Sequence, residues 1–181
     1  QIEAVAATPF LWLATVGAAR IEYSFDILTF QISAPGAEAV GVALTPAMAV
    51  AVGGIIAVGI WRVRRGAASA RLLPPLALSL VVALIVTNKV GSPQFQVWLL
   101  APVVLWLVVD RGRAQVAASL VLALCLLTFL VYPLTYDALL QAQPVPVALL
   151  TARNALLLVL LAVGIRAVVQ VPSVRPSILR E

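Results

Sequence analysis

The chain has 181 residues, of which 63% are hydrophobic and 10% charged; a soluble domain is about half apolar and a quarter charged, so composition makes this an all-α polytopic membrane protein. It has no His and a single Cys, Cys125, which excludes histidine catalysis, histidine metal ligation, an internal disulfide and a thiolate metal cluster. The net charge of +5 does not imply a nucleic-acid partner, because the Arg residues stand between apolar runs and read as topology signals.

The sequence opens on Gln rather than Met, with no signal peptide before it, and therefore reads as a piece of a longer or processed chain. Gln1 and Glu3 form a polar pair ahead of the apolar stretch 4–19, "AVAATPFLWLATVGAA". That stretch is short for a crossing and contains Pro9, so it is expected as an interfacial or re-entrant helix on the outer face; a sixth span is the alternative. In "RIEYSFDILTFQIS" Ile21, Tyr23, Phe25 and Ile27 alternate with Glu22, Ser24 and Asp26, after which the phase flips to Leu28, Phe30 and Ile32. Period-two alternation predicts strand, and the flip predicts a bulge or a short kinked hairpin. "SAPGAE" closes it with turn chemistry. Residues 1–38 thus form an outer layer with an interfacial helix and a short β-like element.

About 20 apolar residues span a bilayer. Five stretches in the bundle 39–170 approach that: 39–61, 72–88, 96–109, 114–132 and 150–169. If they alternate, Arg62, Arg64, Arg65, Arg71, Arg111, Arg113, Arg166, Arg175 and Arg180 share one side, the cytoplasmic one by the positive-inside rule. The tail 171–181 is then a solvated cytoplasmic end, and Asp110 beside Arg111 a solvated cytoplasmic pair.

Arg20, Lys89 and Arg153 fall on the opposite side. Glu22 is close enough in sequence to pair with Arg20. Lys89 ends the second span and Arg153, followed by Asn154, opens the last. Each could snorkel to headgroups; the functional reading is that both converge on one phosphate, Lys as a point charge and Arg as a bidentate fork. "KVGSPQ" adds a tight turn at Gly91 and a helix start, with Ser92 as N-cap and Pro93 in the first turn; such an N-terminus favours an anion.

"QIEAVAATP" and "NKVGSPQFQVWLLAP" resemble the C-terminal half of glycosyltransferase family 87, the polyprenyl-phosphate-sugar-dependent transferases of the GT-C fold found in actinobacteria. Gln1, Ile2 and Glu3 match the first family motif, with Ala4 where Ser is usual. Lys89, Ser92, Pro93, Gln94, Phe95, Trp98, Leu99 and Pro102 match the second, and the likeness runs from Gln1 to "ARNALLLVLL". The resemblance implies an enzyme of the plasma membrane that moves a mannose- or arabinose-like sugar from a polyprenyl-phosphate donor to a glycolipid or polysaccharide acceptor on the outer face. Lys89 and Arg153 would hold the donor phosphate, Ser92 and Gln94 would shape its pocket, and Gln1 and Glu3 would line the cavity. The general base would lie upstream, in the first outer loop, so this chain alone would lack it. No cofactor is expected; a divalent cation is compatible with the fold class, but the sequence holds no ligand cluster for one. The competing readings are a non-catalytic lipid-phosphate-binding transporter and a structural membrane subunit in which the polar turn caps helices.

Overall fold

A computed structural model describes residues 1–173; Arg175, Arg180 and the end of the tail, expected on the cytoplasmic side, lie outside them. The fold is mostly helical, with one two-stranded sheet. Four helices are long and apolar enough to cross a membrane: Ala37–Arg64 (α2), Ser69–Val86 (α3), the run Arg111–Leu134 (α5, Arg111–Phe129, with the π-turn after it) and Pro144–Val169 (α7).

The first helix, α1, covers Thr8–Thr15 behind a 3-10 turn at Val5–Ala7. Pro9 sits in its first turn, where no N–H is needed, so it starts the helix rather than breaking it. Gly17 ends it at φ +76°, with Gly17 and Ala18 N–H groups donating back to Ala14 and Leu13. Eleven helical residues rise only about 16 Å, half a bilayer core. The segment is thus too short to be the sixth span; it lies against α7, where the Trp12 indole N–H donates to Thr151 Oγ1 at 3.0 Å.

The phase flip in 20–33 is a hairpin. β1 (Arg20–Ser24) pairs antiparallel with β2 (Thr29–Ser33) across a four-residue turn that ends with Leu28 at φ +50°. Ile21 faces Ile32 and Tyr23 faces Phe30, so the apolar residues of both strands share a face, as pairs directly opposite each other must.

The expected span 96–109 takes a different form. A 3-10 helix runs over Pro93–Leu99 and continues into α4, Leu100–Val109. The segment still traverses the bundle. Gly91 before it touches Arg153 near the start of α7, and Arg113 after it donates to the Ala167 carbonyl near the end of α7; these points lie about 21 Å apart along a helix. α5 then starts at Asp110, whose carboxylate accepts from the Arg113 N–H at 3.3 Å. Asp110 is therefore an N-cap, not merely half of a solvated pair.

Arginines collect at one end of the bundle. α2 stops at Gly66 (φ +79°), with Ala67 and Gly66 N–H groups returning to Arg62 and Val63. The Arg62 guanidinium bonds the Val171 carbonyl, and Arg62 and Arg65 both lie over the Trp61 ring. The main core, including Leu78, Val82, Leu99, Val121, Leu124, Leu157 and Leu160, fills the middle. A smaller core at the opposite end joins Ile2, Leu11, Val131, Leu139, Val147 and Leu150 to the apolar face of the hairpin. Of the four tryptophans, Trp106 is buried in the main core and Trp12, Trp61 and Trp98 are exposed.

α3 and α7 pack closely where Gly164 faces Ser79. A Cβ on Gly164 would stand 2.5 Å from Ser79 Oγ, itself bonded to the Pro75 carbonyl. Gly164→Ala should cost about 1–3 kcal/mol, as overpacking does. Ser79→Ala, which removes the clashing atom, should restore most of the loss. Thermal unfolding of the single and double variants in detergent checks this pair.

Candidate functional site

At the end opposite the arginine cluster, three segments far apart in sequence meet around one guanidinium. Arg153, on the third turn of α7 and only 2% exposed, donates from Nη1 to the Glu3 carbonyl at 3.3 Å and from Nη2 to the Gly91 carbonyl at 3.2 Å. Its neighbour Asn154 donates to Thr8 Oγ1 at 2.9 Å. Glu3, 5% exposed, accepts the Tyr136 hydroxyl at Oε1, 2.7 Å away. Tyr136 belongs to the short helix α6 (Tyr136–Leu140).

Gln1 ties the 89–91 turn from the other side. Its backbone N–H donates to the Lys89 carbonyl at 3.1 Å, its Oε1 accepts the Gly91 N–H at 2.9 Å, and its Nε2 donates to Thr29 Oγ1 at 2.7 Å. The Ile2 N–H donates to the Phe30 carbonyl. The segment 1–4 thus lies between the hairpin and the 89–91 turn, bonded to both.

Gly91 is required by proximity rather than by an unusual φ. A Cβ there would lie 2.1 Å from the Glu3 carbonyl carbon and 2.4 Å from the Ala4 nitrogen. Only glycine lets the two backbones approach this closely.

The expected site residues separate into different tasks. Lys89 is exposed and lines, with Gln1, a cleft of about 1000 Å³ between the hairpin, the N-terminal segment and the first turns of α2. Arg153 does not line that cleft; its guanidinium holds backbone carbonyls, so the two cations do not converge as a pair of ligands. Glu3 is likewise buried and does not line the cleft. Ser92 precedes the 3-10 helix but makes no side-chain cap; its carbonyl accepts from Phe95 instead. The expected Ser92 cap is thus not made, the helix it precedes is 3-10 rather than α, and neither Ser92 nor Gln94 lines the cleft. The cleft also carries Glu22, Asp26 and Glu38. Among the described residues there is no group of three or more His, Cys, Asp or Glu side chains that could hold a metal ion.

Neither Tyr136 nor Thr8 was expected here. Nothing local marks Tyr136 as the partner of a residue 133 positions away. Gln96, 4% exposed, is the second Gln of "PQFQ", and neither its Oε1 nor its Nε2 has a partner among the described residues. Glu3 Oε2, Arg153 Nε and Asn154 Oδ1 are also buried and unpaired there. The hub therefore keeps hydrogen-bonding capacity beyond what its own side chains use.

No family model matches this chain, and no curated protein and no solved structure is significantly similar to it.

Two outcomes follow from the hub. Arg153→Lys keeps the charge but cannot fork to both carbonyls; it should destabilise the protein by about 1–3 kcal/mol, as leaving a buried carbonyl without its partner does. Thermal unfolding measures this, and proteolysis should become faster at residues 1–4 and 88–92. Burial, then the hydrogen bond to Glu3 and the charge of Glu3, hold the Tyr136 phenol above its ordinary value of 10.0. The protonated hydroxyl therefore contributes its full stabilisation below about pH 10 and loses it as pH climbs through the raised value. Tyr136→Phe should cost about 1–3 kcal/mol at neutral pH, and this deficit should shrink in strong alkali, as read by unfolding at both pH values.

Proposed function

We propose that this chain is the donor-binding part of a GT-C-type membrane glycosyltransferase, embedded in the plasma membrane with the arginine end cytoplasmic and the Arg153 end outside. The carrying observation is that the two motifs which suggested the family, "QIEA" and "KVGSPQ", are bonded to each other. Gln1 and Arg153 fix both sides of the 89–91 turn, leaving the Lys89 side chain exposed beside the cleft. Four apolar helices and the traversing Pro93–Val109 segment would supply the membrane bundle, with five crossings.

In this reading Lys89 contacts the phosphate of a polyprenyl-phosphate sugar, and Arg153 is a positioning residue that acts through Gly91 and Glu3. The acceptor oxygen bonds to the anomeric carbon while the bond from that carbon to the phosphate oxygen breaks. The electron pair leaves with polyprenyl phosphate, whose growing charge an ammonium stabilises. The acceptor proton passes to a carboxylate base outside this chain. The cleft suits such a substrate in polarity: Gln1, Glu22, Gln31 and Lys89 offer polar contacts, and Phe10, Val40 and Leu44 offer apolar ones. Acceptor, sugar identity and side of action belong to the same proposal.

Binding of decaprenyl phosphate to the protein in nanodiscs, followed by native mass spectrometry, tests it. Lys89→Ala should weaken binding about tenfold, the loss of about 1.4 kcal/mol from one charged contact, while the unfolding temperature stays unchanged. Equal affinity in the variant would remove the basis for the phosphate assignment.

A further inference from the structure

A second, smaller groove of about 290 Å³ lies between α2 and α7, lined by Ala51, Gly54, Ile55 and Val58 on one helix and by Ile165 and Val168 on the other. Val58 and Val168 join it to the small core of Ala67, Leu72 and Val171 at the arginine end. Gly54 is not a close-packing glycine. A Cβ on Gly59 would stand 3.0 Å from Leu76, whereas one on Gly54 would meet nothing within 4 Å. The missing side chain at Gly54 therefore leaves the groove open.

Along α2, positions 51, 54, 55, 58, 62 and 65 recur at steps of three and four, which keeps them on one helix face. The apolar wall thus runs on into Arg62 and Arg65. Both guanidinium groups lie over the Trp61 ring, 5.2 and 4.8 Å from its centroid. Trp61 is exposed, as an aromatic at the lipid–water interface is. Arg62 is engaged by the Val171 carbonyl. Arg65 is exposed, and so is Arg166, which follows Ile165 in the last turn of α7. Asp110, the N-cap of α5, is the one carboxylate at this end among the described residues.

We propose that this groove binds an anionic glycerophospholipid, with one acyl chain along residues 51–58 of α2 and the phosphate against Arg65 and Arg166. The dimensions suit such a molecule. From Ala51 to Arg62 the helix rises about 16 Å, close to one leaflet of a hydrocarbon core about 30 Å thick. The wall is apolar over that depth and cationic where it ends, which matches a chain joined to a charged head. Basic residues between membrane helices hold anionic headgroups in this way. A zwitterionic headgroup would bring its own cation toward the arginines, and a soluble anion would leave the apolar wall unused. The lipid is neither donor nor acceptor of the proposed transfer, and the assignment does not rest on that reading.

Native mass spectrometry of the chain in detergent, titrated with dioleoyl phosphatidylglycerol or dioleoyl phosphatidylcholine, tests this. The phosphatidylglycerol should bind in preference, with one molecule held most tightly. Arg65→Gln/Arg166→Gln should weaken that binding about thirtyfold, the loss of two cation contacts at a membrane surface. Gly54→Leu fills the groove without meeting other protein atoms, and a leucine suits a helix better than a glycine. It should weaken phosphatidylglycerol binding about tenfold while the unfolding temperature does not fall, which keeps the test decisive should the double arginine variant fold poorly. Glycerol 3-phosphate in excess should not displace the lipid. Equal binding of the two lipids, or wild-type affinity in Gly54→Leu, overturns the inference. Displacement by glycerol 3-phosphate overturns it in favour of a free-anion site. A change of oligomeric state in Gly54→Leu with lipid binding intact overturns it in favour of a contact between copies.

Discussion

The end of the molecule that carries the cleft depends on one buried guanidinium. Arg153 is almost wholly removed from solvent and forks onto the carbonyls of Glu3 and Gly91. A cation there has to be partnered, because desolvating a charge costs several kcal/mol. The partners it finds are backbone oxygens of two segments that no regular secondary structure joins. Arg153 thereby satisfies two carbonyls and fixes the spacing of the N-terminal segment and the 89–91 turn at once. The absence of a side chain on Gly91 makes the spacing possible, since any Cβ would occupy the Glu3–Ala4 peptide.

Around that fork the remaining polar contacts form a connected set. Gln1 reaches from the hairpin to the 89–91 turn, Tyr136 closes on Glu3, and Asn154 holds α1 through Thr8. The network brings the start of the chain, the α3–α4 connection and both of the last two helices to one place. A two-stranded hairpin is marginally stable by itself; this one is held by its apolar face on the core at the Arg153 end and by Gln1 and Ile2 along β2. Residues of both strands are left to line the cleft.

The arrangement also distinguishes two kinds of cation that look alike in sequence. Both Lys89 and Arg153 stand toward helix ends on the side with few basic residues. Lys has three donors on a flexible stem and is well hydrated; Arg has a planar fork suited to two fixed acceptors. The buried position, with two carbonyls about a fork's width apart, is filled by Arg, and the exposed position at the cleft by Lys. The division of labour is between a residue that builds the site and one that is available to a ligand.

Much of this was legible in the chain itself. Sustained apolar runs determine α2, α3, α5 and α7, because a backbone in lipid must satisfy its own hydrogen bonds and does so as helix. The alternation in 20–33 and its flip determine a hairpin, since side chains of a strand alternate and a turn resets the phase. Arginine placement marks one end of the bundle. What the sequence left open lies where local and distant bonds compete. Ser92 has the residue type of an N-cap, yet the chain after Pro93 winds as a 3-10 helix and the hydroxyl makes no cap. Gly91 reads as a turn residue, but its necessity comes from a peptide 87 positions upstream. Arg153 reads as a ligand for an anion and is instead a ligand for the protein's own carbonyls. Only the tertiary structure decides such matters, because a hydrogen bond between residues 150 positions apart leaves no period, cap or spacing in the sequence by which to find it.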